Sequence, residues 1–215
     1  MKTRTLAALA AALVIAIPTL AGAAPPAPAQ PAAAVPAAVV NTRAALRDLW
    51  ITHVFWVRNV VEARIAGDTD RAKTSEQQVV ATAKAIAGAI EPYYGKPASD
   101  KLFGLLAGHW GAISEYLDAA RNKQDAGKKA ALDKLTGNAG EIATFLASAN
   151  PHWPVETLRG LLSAHGAHHV QQIDQLVAHE YAKEAQTWSA MKDHMYVIAD
   201  ALADGLAAQF PDKFR

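Results

Sequence analysis

LRDLWITH (46–53), LFGLLAGH (102–109) and LRGLLSAH (158–165) are three versions of one segment. The histidines that end them stand 56 residues apart at both steps, so the segments superpose without a gap. The same offset pairs KAIAGAI (84–90) with GEIATFL (140–146) and YVIADAL (196–202). A period this long, kept through three copies, marks one supersecondary unit used repeatedly. The units are expected over about 46–101, 102–157 and 158–213, all within a domain spanning 41–215.

Working outward from these segments, apolar residues recur at spacings of three and four, and strand-like alternation is missing. That periodicity predicts amphipathic helices. They are expected over about 41–67, 70–91, 99–121, 125–148 and 154–179, with a last one reaching about 210. Gly67-Asp68 and Asn122-Lys123-Gln124 supply turns within the first two pairs. Pro92-Tyr93-Tyr94-Gly95 and Asn150-Pro151-His152-Trp153-Pro154 connect one pair to the next. HEYAKE (179–184) has no Gly or Pro, so the last boundary is the weakest. The fold class is all-α: six helices as three tandem 56-residue antiparallel hairpins forming one bundle.

Residues 1–23 read as a secretory signal peptide. Lys2 and Arg4 form its basic start, 6–17 its apolar middle and Ala21-Gly22-Ala23 its cleavage site. The apolar run is short for a membrane span of roughly 20 residues. The Pro- and Ala-rich segment 24–40 is expected to be a semi-rigid linker. The chain is thereby expected in the periplasm or outside the cell, with no membrane attachment after cleavage. Cysteine is absent, which removes disulfides and thiolate metal sites. Taking Lys2 and Arg4 from the 21 basic residues sets 19 against 20 acidic ones. A balance this even gives no electrostatic reason for a nucleic-acid or anionic-membrane partner.

His53, His109 and His165 each stand inside the apolar stripe of a helix, and the period makes Thr82, Asn138 and His194 equivalent on the partner helices. With turns near 68, 124 and 180, each histidine lies 15 residues before its turn and its partner 14 after. At about 1.5 Å per residue, both stand at one height in an antiparallel pair. His53, His109, His165 and His194 are therefore expected in one slab at mid-bundle. A buried imidazole nitrogen without a partner costs about 1–3 kcal/mol. Neutral imidazole is also the common ligand of zinc, copper, nickel and iron.

The chemistry expected of the slab is a transition-metal centre with those four histidines as ligands. His169 follows His165 by four residues, faces the same way and joins the candidates. Asn138 and Glu141, one turn apart, would orient or complete the site. Ligation requires the hairpins to close around a common axis, since an open stack holds neighbouring helices about 8–10 Å apart. Without closure, the histidines belong to a metal-free ligand-binding or protein-interaction scaffold whose core titrates with pH. No HExxH, phosphate loop, GxSxG elbow or Glu-x-x-His pair is present.

LRDLWITHVFWVRNV (46–60), IEPYYG (90–95), EIATFLASANPHWP (141–154) and HMYVIADALADGLAAQFPDKF (194–214) resemble a family of small exported bacterial proteins. That family is largely uncharacterised and sometimes carries the name glycosyltransferase. The resemblance covers about 42–214 and implies histidine at the positions of His53, His109, His165 and His194. It implies small polar residues at those of His168 and His169. Glycosyl transfer is the activity implied by the name alone. Nucleotide-sugar transfer usually employs an α/β fold with acidic metal motifs, and neither is visible in the sequence.

Overall fold

The computed structural model describes residues 34–215, so the expected leader (1–23) and the start of the Pro/Ala segment (24–33) lie outside the described residues. Among the described residues there are six long helices and no strand. They are α1 (Ala37–Ala66), α2 (Thr69–Gly88), α4 (Lys96–Arg121), α5 (Asp125–Ala149), α6 (Val155–Val177) and α7 (Tyr181–Gln209). A four-residue helix α3 (Glu91–Tyr94) and a closing 3-10 turn (Pro211–Phe214) complete the chain. No helix among the described residues is long and apolar enough to cross a membrane.

Helix α1 begins four residues before the expected start at 41, directly after Pro36. Val39 is the reason: it is 6% exposed and packs into the core, so the end of the Pro/Ala segment is helix, not linker. The expected helix over 70–91 breaks at Gly88, and Pro92 sits in the first turn of α3. Helix α4 likewise starts before Ser99, with Pro97 in its first turn.

Three turns share one geometry. Gly67, Lys123 and His179 adopt left-handed backbone at φ 75°, 55° and 59°. The next residue's N–H then reaches back to a carbonyl five residues earlier: Asp68 to Ala63, Gln124 to Ala119 and Glu180 to Gln175, at 2.8–2.9 Å. These bonds satisfy the last carbonyls of each helix. HEYAKE therefore stops α6 without Gly or Pro because His179 itself takes the left-handed position.

Packing runs in a closed ring. Helix α1 lies on α2, α4 on α5 and α6 on α7; α2 then meets α4, α5 meets α6, and α7 returns to α1. Inside the ring α6 also touches α4 and α1. The α1–α7 seam is clamped by Arg47–Asp200 and by Arg58, whose guanidinium donates two bonds to Glu184 at 2.7 and 2.8 Å. Glu184 is 2% exposed and also accepts from Gln172 of α6.

The core divides into two apolar clusters. One is built around Leu46, Leu102, Leu158 and Ile142, the other around Val57, Ile113, Leu117 and Ile173. At one end the Pro-aromatic connectors seal the bundle. Fully buried Asn150 donates to Tyr94 Oη and to the Gly205 carbonyl, and Trp153 is 2% exposed against α7. These connector aromatics lock helix ends.

Candidate metal centre

Between the two apolar clusters lies a layer of imidazoles. His53 of α1, His109 of α4, and His165 and His169 of α6 are 5%, 4%, 1% and 1% exposed. Ring centroids stand 4.6 Å apart for His165–His169, 5.3 Å for His109–His165 and 6.4 Å for His109–His169. His53 joins His109 and His165 around a cavity of about 10 Å³, also walled by Trp50, Leu106 and Leu162. A space of that volume is on the scale of one water molecule.

Two of the rings are fixed by polar partners on the neighbouring helix. Thr82 Oγ1 lies 2.8 Å from the Gln78 carbonyl, to which it donates, and 3.0 Å from His53 Nδ1. With its one hydrogen committed, the hydroxyl accepts from Nδ1–H, and the lone pair of His53 falls on Nε2. Asn138 does the same for His109. Its amide N–H donates to the Leu105 carbonyl at 3.0 Å, which turns Oδ1 toward His109 Nδ1 at 3.2 Å. A carbonyl oxygen only accepts, so His109 also keeps its lone pair on Nε2.

In the third pair the pattern changes. His194 Nε2–H donates to the Leu161 carbonyl at 2.8 Å, standing in for the Asn138 amide on the equivalent oxygen. It makes no bond to His165, whose Nδ1 is left buried without a partner. His109 Nε2 and His169 Nε2 are buried and unpartnered too, as is Trp50 Nε1, whose ring meets His165 edge-on at 5.7 Å.

Among the described residues no carboxylate enters the layer, so burial decides the protonation state. Burial, followed by the proximity of His109, lowers the pKa of His53 to about 4. Burial lowers His109 to about 4 as well, against a small opposing pull from Asn138. His165 and His169 are held well below the usual histidine range, first by burial and then by the neighbouring rings. All four are neutral at pH 7, the form that binds metals.

The sequence expectations divide accordingly. His53, His109 and His165 meet as expected, His169 joins them, and Asn138 orients His109 from behind. His194 does not face the centre: it is half-buried and packs against His168, with ring centroids 5.5 Å apart. Glu141 is exposed and lines a surface groove with Lys101 and Arg159. It stands on the solvent side of α5, three residues and roughly 60° of helix rotation from Asn138. Thr82 and Trp50 join the candidate set. The period already marked Thr82 as equivalent to Asn138, and the helical spacing of Trp50, Trp56 and Trp110 read as core or as walls of an aromatic pocket near the histidines; Trp50 takes the second place.

As the rings are placed, no group of three or more His, Cys, Asp or Glu among the described residues is arranged to hold a metal ion. Two of the centroid separations, His165–His169 and His109–His165, match those of two ligands on one ion, and His109–His169 is wider. With nitrogen at 2.0–2.1 Å from a metal, ring centroids at a tetrahedral angle fall roughly 5 Å apart. No family model matches the chain, and the searches of curated proteins and of solved structures found no match to it. The resemblance drawn over 42–214 thus rests on its own motifs.

Proposed function

We propose that this chain is an exported bundle that binds one transition-metal ion, zinc, copper, nickel or iron, through His53, His109, His165 and His169. The observation that carries the reading is the set of three imidazole nitrogens, on His109, His165 and His169, buried side by side without a partner. Each costs about 1–3 kcal/mol unless something satisfies it. A cation accepting their lone pairs removes that cost. Thr82 and Asn138 then serve as the outer groups that fix ring orientation in metal sites. His165 and His169 have no such side-chain partner on a neighbouring helix, and their Nδ1 and Nε2, respectively, are the atoms left for the ion.

The same reading takes the bundle as three copies of one hairpin. Left-handed residues at 67, 123 and 179 support it, as do the matching Nδ1 contacts of His53 and His109. The test is to strip the purified protein with chelator, titrate it with Co²⁺ and Zn²⁺, and follow binding and melting temperature. One equivalent bound, with a melting temperature that rises with metal and a loss of binding in His109→Ala and His169→Ala, is the expected result. No binding and no shift in melting temperature would remove the reading.

A second reading is a metal-free scaffold whose buried imidazoles make its stability depend on pH. The absence of a ready-made ligand cluster among the described residues favours it. It predicts pH dependence that chelators leave untouched. Glycosyl transfer rests on the resemblance alone, and incubation with nucleotide sugars tests it.

A further inference from the structure

The centre proposed above is closed: its four rings are 1–5% exposed. A hydrated cation reaches such a place only where donors replace its water step by step. The connector end is sealed by Trp153, and behind it lies a cavity of about 30 Å³ lined by leucine, isoleucine, alanine and tryptophan, which offers almost no donors. The groove outside Asn138 carries Lys101 and Arg159, which repel a cation, beside the single carboxylate of Glu141. A groove between α5 and α6 carries Asp174 and Glu180 but no imidazole, whereas at the seam between α6 and α7 the chain places two more imidazoles.

His168 and His194 are both half-buried, with ring centroids 5.5 Å apart and planes inclined by 53°. His168 comes one helical turn after His165 and directly before His169, so it stands over the same stretch of α6 as both inner rings. His194 fixes its own orientation by donating Nε2–H to the Leu161 carbonyl, which leaves its lone pair on Nδ1. Asn138, its counterpart on α5, has no such nitrogen. Six of the eight histidines in the chain therefore fall into two groups, a half-buried pair, His168 and His194, and the buried set of His165, His169, His109 and His53. On α6 the outer His168 directly precedes the inner His169.

We infer that His168 and His194 are the loading port of the centre, taking a divalent transition-metal cation from solvent and handing it to His165 and His169. The port rests on the metal reading given above, but it makes a separate claim about rate. Its residues set how fast the ion enters, whereas the inner four set how tightly it is held.

Chelator-stripped protein is mixed rapidly with Co²⁺, and the visible absorption of the imidazole-bound ion is followed in the wild type and in the double variant His168→Gln/His194→Asn. The asparagine preserves a donor for the Leu161 carbonyl, and circular dichroism verifies that the bundle is folded. The expected result is an unchanged final absorption and affinity, reached at least about tenfold more slowly. An unslowed variant overturns the port. So does a variant that loses equilibrium binding, because these residues would then be ligands of the centre itself. A wild type that develops no absorption removes the centre, a result distinct from either.

Discussion

His53 and His109 titrate near pH 4 in the fold, whereas an exposed histidine titrates near 6.5. The unfolded chain therefore binds more protons throughout the window between those values. Stability is fully present above about pH 6.5 and falls as the pH is lowered toward 4. Each such imidazole contributes a slope of about 1.4 kcal/mol per pH unit in that window, and His165 and His169 act in the same direction. Urea unfolding of metal-free protein at pH 7, 6 and 5 is expected to show a steep loss. Residue 169 offers a clean control, since Val57 and Ile113 hold the equivalent places in the other two segments. His169→Val is expected to flatten the slope by about a quarter, one of four similar contributions; an unchanged slope would refute the assignment. At this scale the sequence was informative about height and silent about aim. The period brought His53, His109 and His165 to one level. It could not tell that the His194 ring spends its N–H on a backbone carbonyl, or that Glu141 falls just past the edge of the buried face.

Among elements, helices were legible because their apolar spacing is regular, and their ends were legible where Gly or Pro marks them. They were missed where a side chain without such a mark does the work. Val39 extends α1 by packing, and His179 stops α6 by adopting a conformation usually left to glycine. Glycines inside helices divide by surroundings in the same way. A methyl group on Gly137 of α5 would meet nothing within 4 Å, but one on Gly205 of α7 would fall 1.9 Å from Trp153 Nε1. Gly137→Ala is therefore expected to stabilise by up to about 1 kcal/mol through helix propensity. Gly205→Ala is expected to destabilise by about 1–3 kcal/mol through overpacking against the buried indole. Paired thermal melts settle both, and equal signs would contradict this picture of the α7–connector contact.

For the molecule as a whole, the decisive fact is that α7 returns to α1. Closure brings helices α1, α4 and α6 to face one axis, and no sequence feature announced it, because the period alone is equally compatible with an open stack. The clamp at the seam is the Glu184 carboxylate, held below its usual pKa first by the bonds from Arg58 and then by Gln172, against its own burial. Arg58→Ala would leave that carboxylate buried beside a single amide donor. Arg58 is 29% exposed, so water replaces part of what is lost, and a cost of about 3 kcal/mol is expected in urea unfolding, the low end for a broken buried pair. Closure also makes the covalent order of the helices arbitrary. The 3-10 turn at Pro211–Phe214 touches α1. A short Gly-Ser tether could therefore join residue 215 to residue 37 while the chain is cut at Lys123. Such a circular permutant keeps each interhelical seam, and its circular dichroism spectrum should overlay that of the parent.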